Sequence, residues 1–243
     1  RSVAAQLRQK LVEERCDILL VQEPYLFQKK VSGYGLTARV VQGGDVSWAA
    51  IVVLNRDLVV TRIDALCNSH MVCAEIGSVF GVFYVVSLYC QPSLDFERFM
   101  ADLEKVVDTL GTKDLLVAMD ANAKSPAWGG DILDDAGLLL EDLVFSRNLV
   151  VMNELGSLPT FSTVHGESYI DVTLSSCSFS RVVSNWTVRE GWSTSDHRCI
   201  TFTCGRMGYR KVRVESGRFS IGIPFINILI IGLMTSVWLV LGV

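Results

Sequence analysis

Four short polar groups each stand at the end of an apolar, strand-like run, and that pattern leaves few folds open to this chain. Gln22-Glu23 follows residues 17–21, and Asp120-Ala121-Asn122 follows 115–119. Tyr169-Ile170-Asp171 opens the run 169–174, and Ser195-Asp196-His197 precedes 198–203. Such groups project acid, amide and imidazole side chains at the rim of a sheet. Carboxylates from separate strand ends and one His beside an Asp, with no nucleophile elbow, imply metal-assisted attack of water on a phosphate.

Between these groups, helices alternate with strands over the first two-thirds of the chain. Residues 2–15 form an amphipathic pattern with Val3, Leu7 and Leu11 on one face. Strand-like runs follow at 48–54, 71–76 and 82–89. The spacing of Phe96, Phe99, Met100, Leu103, Val106, Val107 and Leu110 predicts a helix over 94–110, stopped by Gly111. A second helix is expected near 136–147 and a strand at 149–152. The later part is strand-rich, with runs at 169–174, 182–188 and 198–203. Two sheets packed face to face with helices outside accommodate this order better than one parallel sheet.

Charge and cysteine content narrow the class. The net charge is −4, but residues 206–243 hold five basic residues and a single acid, Glu215. Residues 1–205 therefore carry 17 basic against 25 acidic side chains, a net charge of −8. That sign argues against a sequence-blind nucleic-acid coat and fits an enzyme whose carboxylates hold a divalent cation. Seven cysteines without a CxxC pair, most of them inside apolar runs, read as buried thiols rather than a disulfide framework. The sequon at Asn185 is read as chance, and no signal peptide opens the chain.

The domain is expected to end near residue 205, with 206–220 a basic linker. Residues 221–243 are uncharged and long enough to cross a membrane at ~1.5 Å per residue. They read either as a C-terminal anchor or as an extension not native to the domain.

Each rim residue has a chemical role open to it. Glu23 suits a hard cation, which takes oxygen ligands and keeps several waters. Asp120 and Asn122, two apart in extended geometry, would face one cleft, the acid orienting or deprotonating water and the amide holding a water or phosphate oxygen. Asp171 would fix the tautomer of His197 and raise its pKa, so that an imidazolium stabilises developing charge.

As an ordered set these residues resemble the endonuclease/exonuclease/phosphatase superfamily, the fold of DNase I and exonuclease III. The resemblance rests on Gln22-Glu23, Tyr89-Cys90-Gln91-Pro92, Asp120-Ala121-Asn122, Asp171 and Ser195-Asp196-His197. Residues 120–130 and 168–176 resemble the apurinic-type endonuclease domain of non-LTR retrotransposons of the arthropod type, over roughly residues 1–204. The resemblance implies a DNase I-like four-layer α/β sandwich of two mixed sheets with helices outside.

It also implies that Glu23, with Asp196 nearby, ligates Mg²⁺ or alternatively Mn²⁺, and that Asp120 positions or activates water while Asn122 supports the phosphate. Tyr89 would donate to the scissile phosphate, and His197, oriented by Asp171, would stabilise the transition state. Ser195 would touch the phosphate, and Thr160 would lie in a DNA-contacting loop. Trp128 would either stack on a base or pin its own loop.

The reaction so implied is a single-strand DNA nick whose 3′ hydroxyl primes reverse transcription, with the partner reverse-transcriptase region absent from this chain. The compartment would be nuclear or cytoplasmic, or a membrane if 221–243 is an anchor. Family members begin with a strand carrying a metal-binding Asn, so the first strand is expected to be missing and the sheet to lack one member. Met119 and Ala121, where the family has Gly and Phe, are read as compatible with the site. Two other readings accompany this one: a membrane-anchored phosphoesterase acting on a lipid or inositol phosphate, and an inactive truncated remnant. His70, His165, Lys29-Lys30, Arg39, Glu13-Glu14 and Asp134-Asp135 are read as surface or solvated groups.

Overall fold

The computed structural model describes residues 9–78, 81–205 and 225–232. Two six-stranded mixed sheets dominate it. The first has the order β14 (Val183–Arg189), β15 (Cys199–Cys204), β16 (Ile226–Gly232), β1 (Ile18–Gln22), β5 (Ala49–Val53) and β4 (Arg39–Gln42). The second runs β10 (Leu149–Val151), β13 (Asp171–Ser176), β9 (Leu115–Asp120), β8 (Gly81–Tyr89), β7 (Met71–Ser78) and β6 (Val59–Arg62). Two small hairpins, β2 with β3 (Leu26–Phe27, Lys30–Val31) and β11 with β12 (Phe161–Thr163, Gly166–Ser168), stand apart from the sheets.

The central strands are apolar on both faces because both faces are covered. Ile18 and Leu20 of β1 meet Val85, Leu116 and Ala118 of the second sheet in the core between the sheets. Their neighbours Leu19 and Val21 turn outward to pack with Leu11, Val52 and Leu229. On the far side of the second sheet lie helix α1 (Phe96–Leu110) and helix α2 (Asp135–Ser146). Phe99, Leu103, Val106 and Leu110 of α1 are buried there. Asp95 caps α1 by accepting from the Glu97 backbone N–H at 3.1 Å, so the helix starts at Phe96 and not at Leu94. Gly111, at φ 60°, ends it. A short helix, α3 (Cys177–Ser180), follows β13.

The tail differs from expectation. Ile226–Gly232, expected outside the domain, is a strand between β15 and β1, antiparallel to the former and parallel to the latter. The sheet expected to lack a strand therefore has six. Ile228 and Ile230 fill the core between the sheets, and Leu229 and Ile231 the outer one. An apolar run buried on both faces has the same composition as a membrane span, and only its partners distinguish the two. Among the described residues no helix is long and apolar enough to cross a membrane. Residues 206–224 and 233–243 lie outside the described residues, as does 1–8 of the expected first helix, of which 9–13 is helical.

Candidate active site

Strand register assembles the site. Tyr89 at the end of β8 is the parallel partner of Asp120 at the end of β9. Asp120 in turn faces Asp171 at the start of antiparallel β13. Three neighbouring strand ends of one sheet thus line up Tyr89, Asp120 and Asp171. From the other sheet come Glu23, just past β1, and His197, in the loop before β15.

His197 closes the gap between the sheets. Its Nδ1 lies 3.1 Å from both carboxylate oxygens of Asp171, and its Nε2 lies 3.6 Å from Asp120 Oδ2. All three residues are at most 3 % exposed. Phe161 and the imidazole pack edge-to-face at 4.9 Å between centroids. Ser195 Oγ accepts from the His197 backbone N–H at 3.2 Å, which shapes the turn.

Glu23 and Asn122 both adopt left-handed backbone, at φ 51° and 48°. Non-glycine residues rarely hold this conformation unless their surroundings impose it. The Glu23 N–H is fixed by the Trp48 carbonyl at 2.8 Å. Asn122 was expected to share a face with Asp120 through extended geometry, and the turn brings them together instead. Its Nδ2 donates to Asp120 Oδ1 at 2.9 Å and to the Cys90 carbonyl at 3.1 Å.

Crowded negative charge sets the protonation states. Burial, then the charge of Asp171 and further that of Glu23, push Asp120 up to about 8 against the pull of His197. Burial by itself lowers the pKa of His197. The carboxylates of Asp171, Asp120 and Glu23 outweigh it and raise His197 to about 9. Tyr89 is pushed up by burial and by its hydrogen bond with Glu23, so it remains a donor at neutral pH.

Three carboxylates around one imidazole form an oxygen-rich donor set suited to a hard divalent cation. A buried, unpartnered oxygen, Gln22 Oε1, belongs to the residue before Glu23. Among the described residues, Asp120, Asp171 and His197 place ligand atoms within 4.8 Å of one another. An imidazole whose Nδ1 is bonded to Asp171 and which is held protonated is a poor ligand, since metals take the neutral ring. The donor set therefore leaves carboxylate oxygens, and not the imidazole, to face a cation. Asp196 is exposed, and its carbonyl accepts from Ser162 N at 2.9 Å.

Trp128, read as stacking on a base or pinning its own loop, and Thr160, expected in a DNA-contacting loop, are both buried and hold the scaffold. Trp128 is 1 % exposed, and its Nε1 donates to the Ala123 carbonyl at 3.1 Å, so it pins its own loop and has no face for a base. Thr160 is fully buried, and its Oγ1 accepts from the backbone N–H groups of Ile170 and Asp171, each at 3.1 Å. It fixes the approach to Asp171.

Asn153, which no motif marks, does the same from the other side. It donates to the Asp171 carbonyl at 2.9 Å and accepts from Thr173 N–H at 2.8 Å. His70, expected at the surface, is buried instead. Its ring is bonded to Ser69 and Gln91 and stacks 6.3 Å from Tyr89 and 6.2 Å from Trp48. Arg39 donates to the Asn55 and Leu58 carbonyls, Lys29 pairs with Asp45, and Asp134 caps α2.

The chain is similar to known proteins in sequence and in fold. Residues 83–201 match the family model described as endonuclease-reverse transcriptase. A Pol polyprotein from the type-1 retrotransposable element R1 of Bradysia coprophila is 34% identical over 173 residues, which is 68% of this chain and 17% of that protein. A 115 kDa protein of element R1DM from Drosophila melanogaster is 26% identical over 90% of this chain and 23% of its own length. The chain thus spans about a fifth of these relatives. The endonuclease domain of TRAS1, a telomere-specific non-LTR retrotransposon, superposes with a TM-score of 0.74 at 30% identity, over 82% of this chain and 91% of that domain. An AP endonuclease from Leishmania major, at 12% identity and a TM-score of 0.62, covers 80% of each chain and shares the fold. With strand ends, fold and relatives in agreement, the chain belongs to the endonuclease family of non-LTR retrotransposons, within the endonuclease/exonuclease/phosphatase superfamily.

Proposed function

We propose that this domain nicks one strand of DNA by divalent-metal-assisted attack of water on a phosphodiester, leaving a 3′ hydroxyl that primes reverse transcription of the element. The observation that carries the proposal is the bridge across the two sheets, in which His197 stands between Asp171 and Asp120 with Tyr89 and Glu23 alongside. Glu23 would hold the cation, Mg²⁺ or Mn²⁺, with Asp196 nearby at the open rim. When bound, the metal neutralises charge on the phosphoryl oxygens and lowers the pKa of water.

The protein's own groups divide the remaining work. Asp120, ionised once a cation offsets its acidic neighbours, orients the attacking water and accepts its proton. Asn122 holds one Asp120 oxygen and leaves its carbonyl end for the water or phosphate. His197, protonated and aimed by Asp171, stabilises charge on the phosphoryl group as the pentacovalent transition state forms. Tyr89 keeps its proton and donates a hydrogen bond to a phosphoryl oxygen, while the P–O3′ bond breaks and the leaving 3′ oxygen takes a proton from solvent water. DNA and the reverse-transcriptase region of the element are the partners this chemistry requires. The membrane reading is not carried forward, since part of the segment that suggested it is a core strand.

The test is conversion of supercoiled plasmid to open circle by the full chain with Mg²⁺, with EDTA, and with His197→Ala as contamination control. Metal-dependent nicking that falls at least roughly 100-fold in the variant is expected. Nicking that survives EDTA, or that His197→Ala retains at a near-wild-type rate, overturns the assignment.

A further inference from the structure

Gly232 ends β16 and pairs in register with Gln22, the residue before Glu23. A Cβ on Gly232 would stand 2.7 Å from Cγ of His197 and 3.0 Å from its Cβ and Nδ1. Its φ is outside the left-handed region, so backbone freedom does not call for glycine there. The requirement is room for the imidazole.

The ring has nowhere to retreat. Asp171 holds Nδ1 at 3.1 Å, Asp120 faces Nε2 at 3.6 Å, and Phe161 packs against the ring. Other glycines at which a Cβ would intrude meet the backbone of Asn68 or Lys124, or the rings of Tyr169 or Phe225, none of them a reacting group. Gly232 alone among them touches the imidazole.

We propose that Gly232 is a positioning residue for His197, and that β16 serves catalysis by offering a wall free of side chains on which the imidazole is seated. The proposal rests on the nicking role of His197. A methyl group at Gly232 pushes the ring off this wall, lengthens its bond to Asp171 and turns Nε2 away from the phosphate. Misplacement by about 1 Å can cost roughly 100-fold in rate. The expected effect is therefore a fall in kcat with little change in KM, because phosphate and DNA contacts elsewhere are untouched.

The experiment compares Gly232→Ala with Leu229→Ala in the full chain. Leu229 faces the outer core beside Leu19 and Val21, away from His197. Nicking of supercoiled plasmid gives kcat and KM, and the downfield Nδ1–H resonance of His197 reports its bond to Asp171 without reference to activity. Gly232→Ala is expected to move that resonance and lower kcat roughly 10- to 100-fold at constant KM. Leu229→Ala is expected to lower the Tm while both stay in place. An unmoved resonance with unchanged kcat in Gly232→Ala overturns the proposal.

A double-mutant cycle covers failure to fold. In the His197→Ala background the methyl has space, so Gly232→Ala must cost less stability there than in the parent chain, and equal costs reject the contact. Absence of nicking by the parent chain would reject the nuclease reading, while the resonance and the cycle would still decide Gly232.

Discussion

At the scale of single residues, the site works by opposing burial with charge. His197 is buried enough to lose its proton, yet the acids around it hold its pKa at about 9. Removing Asp171, the largest raising influence, leaves burial less opposed. In Asp171→Asn, the pKa of His197 is expected to fall well below 9, read from the pH dependence of its ring NMR shifts, and nicking near neutral pH is expected to fall with it. His197→Ala should lose roughly 10²–10³-fold in kcat, the range for deleting one preorganised donor. Asn122→Ala should be milder, about tenfold in rate with DNA affinity kept. Plasmid nicking alongside a DNA-binding titration separates the two effects.

At the scale of elements, β16 is the piece that changes the account of the chain. Its isoleucines interdigitate with both sheets, so the strand belongs to the core. Ile230→Ala removes a side chain that is 2 % exposed and should cost about 2–5 kcal/mol, measured by urea unfolding. A cost near zero would place the strand outside the sheet. The pairing of β8, β9 and β13 is the other decisive element-scale fact. A one-residue slip of β13 against β9 would turn Asp171 to the opposite face and break its bond to His197.

At the scale of the whole molecule, the acidic cluster links stability to pH and to metal. Asp120 rises from 3.8 to about 8 and His197 from 6.5 to about 9, so the folded chain holds both protons more tightly than the unfolded one. Both contributions are present at low pH and are lost as pH rises through this window. Metal-free protein is therefore expected to lose thermal stability as pH rises from about 4 to 9, and Asp120→Asn to flatten the decline below pH 8. Added Mg²⁺ should raise the Tm near neutral pH, since a ligand that binds only the folded state stabilises it by mass action.

By itself, the sequence determined the buried strands and the polar residues that stand at their ends. Buried strands are short apolar runs, and a polar group ending one is visible without any partner. Glu23, Asp120, Asn122, Asp171 and His197 were legible for that reason, as was helix α1 with its glycine stop. What depended on contacts distant in sequence was not. Trp128 and Thr160 look the same in sequence whether they face DNA or the interior, and His70 carries no mark of the ring stack that buries it. Asn153 bonds backbone about 20 residues away, so no local spacing announces it. Residues 226–232 have a composition that suits a bilayer and a sheet equally, and only their pairing with β1 and β15 distinguishes these. Sequence records what each segment can bury, while the tertiary structure decides against which neighbour it is buried.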